Sequence, residues 1–268
     1  YAVSENNNYC RALMSAIYDV SNELVADIVI DKSMNEGKIF EAQLNKFQKG
    51  SIIMGDGHYF TKGVLDKINE KGINGIFKVP RNMCICKDFL KTDKQNEVYN
   101  YEGNRIRLIK YKNNSTTYIL GTNIFDEKEY TNNFIIKMYE QRWFVEEFFK
   151  ISKCYLNFNK TYSRLINNIL QEVYVQLIIV ALSNVFLTNK YNYNNYKINR
   201  KNVINSVSNK IMYLILYKKV NKKNIGIMKN ILFDLINNVT LIEDNRYEKR
   251  IRKLPITQFI NNNNYDNG

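Results

Sequence analysis

The sequence predicts an α/β fold: a mixed sheet flanked by helices, with a β-rich stretch in its middle and a helical carboxyl-terminal part. Three observations carry this expectation. Short apolar runs alternate along the chain with stretches of helical periodicity. The 268 residues are enough to bury a sizeable core. One stretch without glycine or proline, Tyr139–Lys153, gathers charged and aromatic residues on a single helical face.

The elements follow in order. Leu13–Val20 and Leu24–Ile30 are short apolar runs flanking Ser21-Asn22-Glu23, which reads as a hairpin with Asp19 at the end of its first strand and Asp27 inside its second. Asn35–Phe47 spaces Ile39, Phe40, Leu44 and Phe47 among polar residues as an amphipathic helix, closed by Gly50. Ser51–Gly55 is a short apolar strand with Asp56 at its carboxyl end, the place where ligands gather in open α/β sheets. A helix over Lys62–Lys71 and a strand over Gly75–Val79 come next. Residues 81–124 alternate in character and read as a β-rich insertion, with Asn113-Asn114 as a hairpin turn. Within it Arg105, Arg107, Lys110 and Lys112 give one strand a basic face, suited equally to phosphate and to water.

Beyond residue 153, Ser163–Leu187 reads as a long apolar helix packed under the sheet. Its core, Val173–Leu187, is short for a membrane span and carries Gln176, Ser183 and Asn184, so a buried helix and no membrane partner are expected. Asn189–Lys201 is of low complexity, and two weaker helices are expected over Val203–Tyr217 and Ile225–Val239. The tail is basic and then asparagine-rich. These features divide the chain into a core at 1–190, containing the 81–124 insertion, and a carboxyl-terminal region at 191–268.

Charge narrows the class of partner. Thirty-nine Lys and Arg stand against 26 Asp and Glu, a formal +13 with a pI near 9.4. Such a field favours polyanions, nucleic acid first, although a basic surface also serves solubility. Four cysteines include Cys84-x-Cys86 without a second pair, and His58 is the single histidine, which does not make a zinc pattern. Reduced thiols in an intracellular protein are expected.

On a helix turning about 100° per residue, Tyr139, Arg142, Glu146 and Lys153 fall within about 60° of one another. An Arg and Glu four apart stabilise any surface helix by a few tenths of a kcal/mol, so that pair alone says little. The whole spacing, Tyr-x2-Arg-x3-Glu-x6-Lys with Trp143 after the Arg and Phe148-Phe149 after the Glu, resembles the signature helix of insertion-sequence DDE transposases. The resemblance implies an RNase H-like fold, with Glu146 a catalytic metal-binding carboxylate and Tyr139, Arg142 and Lys153 holding DNA. The Asp56-x-x-Tyr59-Phe60 segment resembles that family's second catalytic Asp, with Gly57 where a basic residue often follows. The implied cofactor is Mg²⁺ or Mn²⁺, the partner is DNA (transposon ends and target) at its intracellular location, and a homodimer on paired ends is the expected assembly.

Three acidic groups holding two divalent ions are what this chemistry needs. The resemblance places the first on a strand preceding the hairpin, which would lie before Tyr1. The expectation is therefore a transposase catalytic domain lacking that Asp and having little or no activity. Asp19, with Asp27 and Asp31 behind it, is a weak substitute. Two other readings stand beside it: a non-catalytic DNA-binding remnant, and a nuclease of the same fold.

Overall fold

The computed structural model describes residues 13–31, 35–113, 116–156, 165–188 and 196–216, with isolated residues and short pieces elsewhere. The segment at 189–195, most of the expected Ile225–Val239 helix and everything after residue 241 lie outside the described residues.

Two short pairs open the chain: β1 (Ala2–Val3) with β2 (Cys10–Arg11), then β3 (Leu13–Asp19) with β4 (Leu24–Asp31), both antiparallel. The hairpin forms where the sequence placed it, because the turn is capped by Asp19. Its Oδ1 accepts from the Ser21 amide at 2.9 Å and the Asn22 amide at 3.1 Å, and its Oδ2 from the Asn22 side chain at 2.7 Å. α1 (Glu36–Gln43) follows, extended by a 3₁₀ turn at Leu44–Lys46, and β5 (Ile52–Gly55) leads to α2 (Lys62–Lys71) and β6 (Asn74–Lys78). Helix α2 is bounded by Thr61, whose hydroxyl accepts from the Val64 amide, and by Gly72 at φ 64°, a left-handed cap where a side chain would be strained.

The expected insertion holds one helix and three strands: α3 (Cys84–Leu90), β7 (Asn96–Tyr101), β8 (Asn104–Asn113) and β9 (Thr116–Thr122). The strands extend the main sheet, whose order is β5-β6-β9-β8-β7, with β5 and β6 parallel and the rest antiparallel. Basic residues on β8 divide between its faces. Ile109 and Tyr111 belong to one packed cluster and Ile106 and Leu108 to the other, so Arg105 and Arg107 share a face that Lys110 and Lys112 do not. Arg107 is 1% exposed and donates to the Tyr130 carbonyl at 3.0 Å and Asn132 Oδ1 at 2.5 Å. The expected single basic face is thus corrected: one of its cations is a core residue.

Helices cover both faces of the sheet. On one, α1, α2 and α3 enclose Leu44, Leu65, Ile68, Phe77 and Ile106. On the other, α4 (Asn132–Glu140) covers Ile76, Ile109 and Leu120 through Ile135 and Tyr139. α5 (Trp143–Tyr155) lies against β3, and α6 (Ile166–Thr188) against β4 and α7 (Arg200–Leu216), where Ile179, Val203, Ile204 and Val207 are buried together. α6 therefore packs on the hairpin rather than under the five-stranded sheet. It is long and apolar enough to cross a membrane, and within it Val173, Ile179 and Val180 are buried while Tyr174, Val175 and Ile178 are exposed. A last pair, β10 (Tyr196–Ile198) and β11 (Val239–Leu241), is antiparallel.

Candidate active site

The site forms where β5 ends. Strand alternation turns Met54 toward the α4 side and Gly55 toward Phe77, so Asp56 comes out on the α4 side. Gly55 is required here: a Cβ would stand 2.8 Å from the Phe77 ring and 3.2 Å from Tyr59. Asp56 is exposed, and its Oδ1 accepts from the His58 amide at 2.8 Å, fixing the turn that follows the strand.

Opposite Asp56 stands the junction of α4 and α5. The sequence predicts one helix over 139–153, whereas the structure breaks it after Glu140 and resumes at Trp143. Arg142 and Gln141 keep right-handed helical dihedrals, and the junction is tightened by bonds three residues apart, from the Arg142 amide to the Tyr139 carbonyl and the Val145 amide to the Arg142 carbonyl. The stripe survives the break for that reason. The Arg142 guanidinium lies 5.6 Å from the Tyr139 ring centre and pairs with Glu146 Oε1 at 2.7 Å. Its Nε is buried without a partner among the described residues.

Electrostatics ties the groups together. Burial raises the Tyr139 phenol above its ordinary value, with Arg142 opposing and Asp56 and Glu146 adding to the rise. Burial draws Arg142 down, but the hydrogen bond to Glu146 and the charges of Tyr139 and Glu146 outweigh it, so the cation is held more firmly than usual. The raised values keep the Tyr139 phenol protonated and Arg142 a guanidinium at neutral pH. Lys153 stands apart, exposed, 5.7 Å from the Phe149 ring centre and further along α5.

Asp56, Arg142 and Glu146 border a cavity of about 610 Å³ between β3 and β5, lined also by Glu36 of α1 and by Val145 and Phe149 of α5. Consecutive residues of both strands, Met14–Asp19 and Ser51–Asp56, line it. Side chains alternate across a sheet, so a lining that takes every residue is made of strand edges, not faces. β3 pairs only with β4, and β5 only with β6, so both edges facing the cavity are unpaired among the described residues.

The other candidate acids are committed elsewhere. Asp19 spends both oxygens on the hairpin turn, and Asp27 pairs with Lys46 at 2.6 Å and accepts from Gln43 at 2.9 Å. Glu36, to which the sequence alone assigns no role, accepts a hydrogen bond from the Tyr59 hydroxyl and so holds the Asp56 turn against α1. Among the described residues no group of three or more acidic, His or Cys side chains is arranged to hold a metal ion. Asp56 and Glu146, one of them paired with Arg142, do not fit a two-ion centre by themselves.

A mixed five-stranded sheet flanked by helices, with Asp56 at the carboxyl end of its edge strand β5, is consistent with an RNase H-like domain. The chain matches the family model described as transposase DDE domain over residues 4–182, about two thirds of its length, and it belongs to that family. No curated protein matches it.

Proposed function

We propose that this chain is the catalytic domain of a DNA transposase of the insertion-sequence type, which cuts and rejoins DNA strands. The observation that carries the reading is the convergence of Asp56, Arg142 and Glu146 on one cavity, with the Tyr139 ring beside Arg142. The reaction class is in-line displacement at phosphorus: a hydroxyl oxygen bonds to phosphorus and gives its proton to solvent, while the bond to the bridging 3′ oxygen breaks and that oxygen leaves with the electron pair, taking up a proton from solvent to become a 3′ hydroxyl. Arg142 supplies a planar fork for phosphate oxygens. Tyr139, kept protonated by burial, donates to a phosphate oxygen, and Lys153 adds a point charge further along the strand. Asp56 and Glu146 are the acidic members, toward Mg²⁺ or Mn²⁺ by family resemblance. Transposon ends and target DNA are the partners, and a homodimer is the assembly on paired ends.

Among the described residues the acids at the site are one fewer than two ions need, and the cavity between the unpaired edges of β3 and β5 has the form of a place for one more strand. We therefore assign this chain by itself little or no cleavage activity. The same shortage favours a second reading, a DNA-binding remnant without chemistry. To test the first, a strand-forming segment with one central Asp is fused ahead of residue 1. The reading expects divalent-ion-dependent cleavage with joined ends, lost in Asp56→Ala and Glu146→Gln. Free ends only would indicate a nuclease. Cleavage indifferent to both substitutions would sink the assignment.

A further inference from the structure

Asp56 has a cationic neighbour on the side away from the cavity. β5 and β6 run parallel with Gly55 opposite Phe77, so the next positions, Asp56 and Lys78, stand side by side at about one strand spacing, ~4.8 Å. Lys78 follows Ile76 on the face that carries Tyr139. The turn after Asp56 is seated on this segment, for a Cβ on Gly57 would be 3.3 Å from the Lys78 carbonyl and from Pro80.

Lys78 Nζ lies 4.5 Å from the centre of the Tyr118 ring, and the Arg81 guanidinium 5.8 Å from the same ring. Arg81 is anchored through a 2.7 Å bond from Nη2 to the Thr117 carbonyl, which leaves its other donors open. Tyr118 is itself braced by Tyr111, at 6.2 Å between ring centres, whose hydroxyl donates to Glu140 at 3.2 Å. Among the described residues neither Lys78 nor Arg81 makes an ion pair, whereas Lys46, Lys62, Lys91, Lys94 and Arg142 all do. Two cations held against one aromatic ring, neither in an ion pair among the described residues, at the end of β6 beside which Asp56 emerges, form a shelf for an anion.

We propose that Lys78 and Arg81, seated on Tyr118, bind the sugar-phosphate backbone of the DNA strand next to Asp56. The proposal rests on the DNA reading above and adds to it a second anchoring point: the strand runs from the Arg142 side, past Asp56, onto β6 and β9. Lys78 and Arg81 are positioning residues, holding neighbouring phosphates so that the one at Asp56 stays in place.

The test is the salt dependence of binding to a fluorescent oligonucleotide, single-stranded and duplex, between 50 and 200 mM salt. Removing one cation that neutralises a phosphate lowers the slope of log affinity against log salt by about 1. Lys78→Gln and Arg81→Gln should each do so, and the double variant should lower it by about 2. Lys87→Gln, on exposed α3 at the opposite face, should leave it unchanged. A folded double variant, by its melting curve, with the wild-type slope would overturn the shelf and leave the DNA reading standing. An equal drop in Lys87→Gln would also overturn it, by showing diffuse charge. Absence of salt-dependent binding by the wild-type chain would overturn both.

Discussion

Replacing Arg142 separates its two possible employments, a helix brace and a phosphate fork. As a brace it is worth little. Its pair with Glu146 spans four residues with side chains 26% and 46% exposed, which contributes about 0.3–0.5 kcal/mol. Against that, its buried Nε lacks a partner, and removing such a group recovers part of a desolvation cost. Arg142→Gln should therefore shift the melting temperature by no more than about 2 °C. As a fork it matters more, because a hydrogen bond to a charged group is worth about 1.5–3 kcal/mol, or roughly 10- to 150-fold in affinity. Arg142→Lys keeps the charge and loses the fork, so it should preserve the salt slope while still weakening binding. Fluorescence anisotropy at 100 mM salt reads all three proteins. An Arg142→Gln protein that melts normally and binds DNA as wild type does would refute the reasoning.

Other outcomes follow from the packing. Arg107→Met takes the side-chain donor from the Tyr130 carbonyl, while Asn132 Oδ1 keeps its bond from Asn96, so it should cost about 1–3 kcal/mol and lower the melting temperature by a few degrees without changing the DNA salt slope. Gly55→Ala pushes a methyl into Phe77 and should cost about 1–3 kcal/mol by urea unfolding, with weaker DNA binding because the Asp56 turn moves. Burial raises the Asp27 carboxyl, but hydrogen bonds from Lys46 and Gln43 outweigh it and leave the group below its ordinary 3.8. Its stabilisation is thus present above that value and lost as pH falls through the lower folded one. Asp27→Asn should melt below wild type at pH 7, and the gap should close in strong acid.

Local chemistry made much of the fold legible. The hairpin, α2 between Thr61 and Gly72, and the strand before Asp56 stand where residue pattern placed them, because caps and alternation are properties of neighbouring residues. The Tyr139–Arg142–Glu146 grouping was legible too, since helical spacing alone brings it together. What stayed hidden depends on distant pairing. β9 enters the sheet between β6 and β8, which no run of residues announces, and Cys84–Leu90 turns out helical inside a stretch that reads as strands. Arg107 looks like a solvated cation until Tyr130 and Asn132 fold over it. Glu36 matters only because Tyr59 reaches it from another element.

The most direct measurement incubates this 268-residue chain with supercoiled plasmid and Mg²⁺ or Mn²⁺, and resolves bound, nicked and free DNA together. The account predicts retarded complexes, sensitive to salt and to Arg142→Gln, with no nicked circle. Nicking abolished by Asp56→Ala would contradict the shortage of acids inferred from the cavity. Failure to bind DNA at low salt would contradict the site itself.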